Sequence, residues 1–208
     1  MSGEPAGDWT PLPRAFYEPG AQIVAPRLLG HWLVRRTESG FSGGLIVETE
    51  AYLADDPACH GFRGETARTR AMFGPPGRTY VYFIYGNHWC FNAVCRPAGV
   101  AEAVLVRALE PVFGLDPMRS RRPVNQDVQL TNGPAKLCQA LGIDRALDGA
   151  DLCDAASPIF LAKNRARAAR CTALGPLVTT TRIGIARAAA EPLRFYLAGS
   201  LWVSRRET

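Results

Sequence analysis

The sequence predicts an α+β domain: a mainly antiparallel sheet flanked by helices. Three observations predict it. Apolar runs of strand length follow one another through residues 45–111, joined by short links. Two of those runs flank Gly86-Asn87, a turn dipeptide between aromatic and β-branched segments. Helical signals are confined to short stretches with their own start and stop residues. The chain has 208 residues, 47% hydrophobic and 21% charged, which excludes a disordered or fibrous protein. A chain of this size hides roughly 70% of its unfolded surface, so a single domain needs no disulfide or metal to hold it together.

Residues 1–14 are rich in Gly and Pro and read as a flexible tail, leaving residues 15–208 as the domain. Residues 22–36 hold a helix or turn, then a strand ending in Arg35-Arg36. Residues 45–53, LIVETEAYL, follow Gly43-Gly44 as a strand. Strict alternation gives one face Leu45, Val47, Thr49, Ala51 and Leu53, which reads as core. The other face then carries Ile46, Glu48, Glu50 and Tyr52. TYVYFIY and HWCFNAVC form the hairpin about Gly86-Asn87. Residues 103–111 form another strand, with Arg107 among apolar neighbours. Helices are predicted at about 111–121 and 134–141. The second opens with Asn132 as cap near Pro134 and stops at Gly142. Residues 161–176, rich in Ala and Arg, read as loop with short structure, and PLRFYLAGSLWVSR as two short strands around Gly199.

Lys+Arg number 24 against 19 Asp+Glu, a net charge of +5 that suits an anionic partner. No run of about 18 apolar residues predicts a membrane span. The start, MSGEPAGDWTPLPR, lacks the basic and apolar regions of a secretory signal. Six cysteines show no CxxC pair and no zinc spacing, so they read as reduced and structural, in a cytoplasmic setting. Neither a metal nor another cofactor is expected.

Glu48, Glu50 and Tyr52 put two carboxylates and an aromatic side by side, which burial alone does not select. A carboxylate in a partly apolar pocket can act as a general base toward water. The polar loop after them carries His60, one of three histidines. Most hairpin aromatics read as sheet core. Tyr85 differs: it sits beside the turn, where an aromatic can wedge into a minor groove and unstack bases. Arg63, Arg68, Arg70 and Arg78 precede the hairpin, Arg119, Arg121 and Arg122 follow the Arg107 strand, and Lys136 lies in a helix first turn. Basic residues interleaved with aromatics suit a nucleic-acid surface.

The blocks ETEAYLADDPACHGFRG, MFGPPGRTYVYFIYGNHWCFNAVC, RALEPVFGLDPMR and NGPAKLCQALGI resemble the alkyladenine (3-methyladenine) DNA glycosylase family of base-excision repair. With RIGIARA and PLRFYLAGSLWVS, the resemblance runs from about residue 28 to residue 204. It implies one compact domain with a curved antiparallel sheet and a protruding hairpin that inserts into DNA. The implied partner is damaged double-stranded DNA, met by a monomer in the bacterial cytoplasm and nucleoid, or in the nucleus if the source is eukaryotic. The implied activity flips alkylated or deaminated purines, such as 3-methyladenine, 7-methylguanine, hypoxanthine or ethenoadenine, and hydrolyses the N-glycosidic bond without metal or lyase step. Carried over by motif, Glu50 is the general base and Arg107 holds the water or a phosphate. Tyr52, His60 and Tyr82 frame the flipped base, Asn92 filters purines at the pocket edge, and Tyr85 intercalates.

Those roles require Tyr82 and Asn92 to face one pocket. A two-residue turn would put them on opposite faces, so an odd-length loop or a bulge is predicted near the tip. Asn87, Ala135 and Leu201 depart from the family pattern without removing a catalytic group. Two other readings use the same residues. One is a glycoside hydrolase with Glu48 and Glu50 as its pair, since same-face strand neighbours lie roughly 6.5–7 Å apart. The other is a non-catalytic nucleic-acid-binding module, which would not need Glu50.

Overall fold

The computed structural model describes residues 9–84 and 86–206. Its helices and strands, in chain order, are α1 (Ala21–Leu28), β1 (Trp32–Thr37), β2 (Gly40–Tyr52), β3 (Thr79–Ile84), β4 (His88–Cys95), β5 (Glu102–Phe113), α2 (Leu115–Arg121), α3 (Val128–Thr131), α4 (Pro134–Leu141), β6 (Ile159–Ala162), α5 (Arg167–Ala173), β7 (Leu177–Thr180) and β8 (Arg194–Leu197). The strands form one curled antiparallel sheet in the order β3-β4-β5-β2-β1-β6, with β8 joined to β2 and β7 to β8. The α+β class read from the sequence is the class observed.

β2 is the spine. One edge pairs with β5 along its length, and the other pairs first with β1 and then with β8. The predicted strand started after Gly43-Gly44, but both glycines lie inside β2. A Cβ on Gly43 would strike the Leu33 carbonyl, and one on Gly44 the Glu110 carbonyl. The glycines therefore let the neighbouring strands close in rather than ending the strand.

Strict alternation along β2 fails. Ile46 faces Leu109 and Glu48 faces Ala108, so Val47 is an extra residue on β2. Thr49 then faces Val106, so Arg107 is an extra residue on β5. These two opposed bulges swap the faces between Ile46 and Glu48. Ile46 and Ala51 join the main core, and the Thr49 hydroxyl bonds the Ala25 carbonyl of α1 at 3.0 Å. Leu45 and Val47 pack instead with Ala108 and Trp202. Glu48, Glu50 and Tyr52 turn away from α1, without Ile46 beside them.

Ala21, Val24, Ala25 and Leu28 of α1 and Leu137, Cys138, Ala140 and Leu141 of α4 share the main core. Burying Leu137 or Leu141 fully contributes roughly 1.5–3 kcal/mol each. α4 spans the predicted residues and stops at Gly142, left-handed at φ 61°, where Ile143 N–H bonds the Cys138 carbonyl at 2.8 Å. Its start differs: Gly133 is the cap, and Asn132 Oδ1 accepts from Lys136 Nζ at 2.8 Å. Residues 111–113 continue β5, so the helix predicted from 111 begins at Leu115.

β3 and β4 pair with Ile84 opposite His88, leaving three residues between them, as the odd-length loop requires. Tyr82 faces Cys90 and Tyr80 faces Asn92, so Tyr82 and Asn92 share a face. Tyr85 lies outside the described residues. Residues 161–176 hold the end of β6 and all of α5. The C-terminal stretch forms one strand, β8, not two, and its partner β7 precedes it. The expected tail is attached from residue 9 on: Pro11 bridges to Ala162, and Leu12 is buried.

Candidate active site

A cavity of about 350 Å³ lies under the face shared by β3, β4 and β5. Tyr80 and Tyr82 reach it from β3, Cys90 and Asn92 from β4, and Leu105 and Arg107 from β5. Tyr52 enters from the end of β2 and His60 from the loop beyond it. Pro134 and Ala135 at the start of α4, and residues 183–185 between β7 and β8, line it as well. The volume suits a small planar ligand.

Its walls are aromatic and fixed to one another. The His60 ring stands at 73° to Tyr82 with centroids 4.5 Å apart, and its Nδ1 is 3.0 Å from the Tyr80 hydroxyl. Tyr80 and Tyr82 are tilted by 31° at 5.3 Å. Burial, with the nearby Arg68 charge second, lowers the His60 pKa, so the ring is neutral at pH 7. Burial raises both tyrosine hydroxyls, Tyr80 to about 12 and Tyr82 further. Three uncharged rings therefore line one side. Asn92 is buried, and its Nδ2 donates to the Tyr80 carbonyl at 3.0 Å, which fixes the amide at the cavity wall.

Behind the cavity lies a buried charge network. Glu50 is fully covered. Its Oε1 accepts from Ile183 N–H at 2.8 Å and lies 3.0 Å from Arg107 Nη1. Its Oε2 accepts from the Tyr52 hydroxyl at 3.0 Å. All three partners line the cavity, so Glu50 sits one side chain behind its surface. Tyr52 is raised by burial and then by Glu50, so it stays a donor. Arg182 stacks 4.8 Å over the Tyr52 ring and is anchored on Asp56 and on the Ala51 carbonyl at 3.0 Å.

Glu48 holds the other side of Arg107. Its Oε1 accepts from Arg107 Nε at 2.9 Å, Arg194 Nη1 at 3.1 Å and the Ser204 hydroxyl at 2.9 Å. Its Oε2 accepts from Ser204 N–H at 2.6 Å. Burial works against the Arg107 charge, but Glu50 and Glu48 outweigh it and raise its pKa. Glu48 is thus committed to two arginines and Ser204, and of these only Arg107 lines the cavity, whereas all three partners of Glu50 do. The glycoside-hydrolase reading needs a second available carboxylate there, and Glu48 does not supply it.

Tyr52, His60, Tyr82, Asn92 and Arg107 all line the cavity, with Glu50 bonded to two of them. The predicted basic surface is thinner than its arginines suggest. Arg78 pairs with Asp151 and Arg119 with Asp116 and Asp127. Arg121 bonds the Ala140 carbonyl, and Arg122 the Gln129 carbonyl and Gln139. Sequence reasoning missed Ser204, Arg194 and Ile183 as partners of the two glutamates, since no local pattern marks them. Among the described residues, no three His, Cys, Asp or Glu side chains come together as a metal site, and no helix is long and apolar enough to cross a membrane. All six cysteines are free.

Residues 15–201 match the family described as methylpurine-DNA glycosylase (MPG). A protein of Methanoculleus marisnigri named "Putative 3-methyladenine DNA glycosylase" is 52% identical over 197 residues, covering 94% of this chain and 99% of its own. Proteins of the same name from Carboxydothermus hydrogenoformans and Agrobacterium fabrum are 47% and 46% identical over 195 residues. Each covers 94% of this chain, and 99% and 93% of its own. The chain belongs to the methylpurine-DNA glycosylase (MPG) family, the DNA glycosylases of alkylated-base repair.

Proposed function

We propose that this chain flips an alkylated or deaminated purine out of duplex DNA into the aromatic cavity. It then hydrolyses the N-glycosidic bond with a water activated by Glu50, leaving an abasic site. The observation that carries this reading is the buried Glu50, held by Arg107, Ile183 and Tyr52 directly behind a cavity walled by His60, Tyr80 and Tyr82.

Flipping costs a few kcal/mol, least for a base that pairs badly, which supplies part of the selectivity. The neutral rings of Tyr82, His60 and Tyr52 recover that cost by stacking on the base, and a cationic alkylated purine gains most. Asn92 filters purines by their exocyclic groups. As the bond from C1′ to the purine nitrogen breaks, its electron pair leaves with the base. An alkylated cation departs as a neutral molecule and needs little acid help. The sugar passes through an oxocarbenium-like state that the Glu50 carboxylate stabilises. Water attacks C1′ and gives its proton to Glu50. Oε2 accepts one bond, from Tyr52, so its second lone pair can receive the water. Arg107 fixes Glu50 through Nη1, and each of its terminal nitrogens keeps a second N–H for the water or a phosphate. Tyr85, assigned from sequence, fills the gap in the duplex. No Lys lies in the ETEAY or hairpin blocks, so abstraction through a Schiff base is not part of this reading.

The test is a labelled duplex with one hypoxanthine or ethenoadenine, incubated with the protein in excess EDTA and then treated with hot alkali. Strand cutting only after alkali, lost by about 10²–10⁴-fold in Glu50→Gln, supports the reading. Melting curves check that the variant folds. Full activity of folded Glu50→Gln would overturn the assignment of the base. Failure to release any base from these duplexes or from methylated DNA would overturn the reaction.

A further inference from the structure

A second cleft, of about 290 Å³, shares Ala58, His60 and Ile185 with the aromatic cavity and continues from it along the surface. Phe62 lines it with 45% of its surface exposed. Arg63 and Arg187 line it too, both exposed, and neither has a hydrogen-bond or ion-pair partner among the described residues. Other arginines have their charge met within the protein: Arg14 and Arg78 share Asp151, and Arg170 is fastened to Glu110. An exposed aromatic and two uncompensated cations lining one concavity beside a base-sized cavity suit an anion joined to a sugar.

We propose that this cleft seats the phosphodiester backbone flanking the flipped nucleotide on the damaged strand, with Arg63 and Arg187 each on a phosphate and Phe62 against a deoxyribose. The inference rests on the reading of the cavity as the purine site. A base in that cavity puts its sugar at the mouth. The adjoining backbone must then leave across the rim, and Ala58, His60 and Ile185 are the part of the rim that the two concavities share. A phosphate there meets cations that no carboxylate has neutralised, so each contact releases a counterion from the DNA.

The proposal predicts a salt signature. Binding is measured from 50 to 400 mM salt to a duplex carrying one tetrahydrofuran abasic analogue, which has no glycosidic bond to cut. Each of Arg63→Gln and Arg187→Gln should reduce the slope of log K against log [salt] by about 0.9, and the double variant by about 1.8. Arg165→Gln, an exposed arginine just beyond β6 at the far edge of the sheet, should leave the slope unchanged. Neutral methylphosphonates on either side of the lesion should weaken binding by the wild type but not further weaken binding by the double variant. An unchanged slope in the double variant overturns the proposal. So does an equal loss in Arg165→Gln, or methylphosphonates that cost both proteins alike, which would put the backbone elsewhere. A wild type that binds with the expected slope but releases no base would instead refute the proposed reaction and leave the cleft standing.

Discussion

Glu48→Ala removes a fully buried carboxylate that accepts from Arg107, Arg194 and both donors of Ser204. Arg107 is 6% exposed and Arg194 is 3% exposed, so water cannot replace the lost acceptor. Removing one partner of a buried ion pair costs about 3–5 kcal/mol, because the stranded charge stays desolvated. Arg107 keeps Glu50, and Arg194 keeps the Thr181 and Arg205 carbonyls, each at 2.8 Å. Those contacts set the expected loss near the lower end, about 3 kcal/mol. That is a large share of the roughly 5–15 kcal/mol that holds an ordinary domain. With an m-value of about 2 kcal/mol/M, the urea midpoint should fall by roughly 1.5 M. Ser204→Ala alone should cost about 1 kcal/mol. The two changes should be non-additive in a double-mutant cycle, since both act on the same carboxylate. A loss in Glu48→Ala below about 1 kcal/mol, the scale of an exposed ion pair, would refute the picture of a water-free clamp around Arg107.

Tyr82→Ala should weaken binding to a lesion duplex by roughly 5–150-fold, the value of about 1–3 kcal/mol for one stacked base, while Tyr82→Phe keeps most of the affinity. Fluorescence anisotropy on one lesion duplex distinguishes the two variants. Burial, with Arg167 and Lys163 adding like charge, lowers His31 to about 4. The unfolded chain, with His near 6.5, then binds a proton that the folded chain does not, so stability drops as pH falls from about 6.5 to about 4. His31→Asn should flatten the melting temperature across that window. An unaltered acid slope would mean that His31 is not the group responsible.

Signals confined to neighbouring residues read well. Gly142 ended α4 because a left-handed residue there needs no side chain. Alternation of TYVYFIY and HWCFNAVC marked β3 and β4, and the requirement that Tyr82 and Asn92 share a face specified the odd-length loop. The residues proposed for the site could be picked out because they cluster in motif blocks, with Glu50 and Tyr52 two positions apart on one strand, and the structure brings them around one cavity. Signals that depended on a partner strand read badly. The glycine pair before LIVETEAYL looked like a break, yet only the approach of the Leu33 and Glu110 carbonyls explains it. The same alternation that worked for the hairpin misplaced Ile46, because no residue type announces a bulge at Val47 or at Arg107.

The amino-acid order alone was enough for the fold class and most strand-forming segments, since steric preference and apolar patterning are local, and its motif blocks marked the acid, the arginine and the rings proposed for the site. Tertiary structure alone decided what each charge does. Which glutamate is saturated, which arginines are spent and which stay free depend on the register of β2 against β5. They depend also on contacts between positions 59 and 156 residues apart, such as Arg107 with Glu48 and Ser204 with Glu48. A charge is neutralised by whatever lies within a few ångströms of it in space, and proximity across such separations is written in no local pattern.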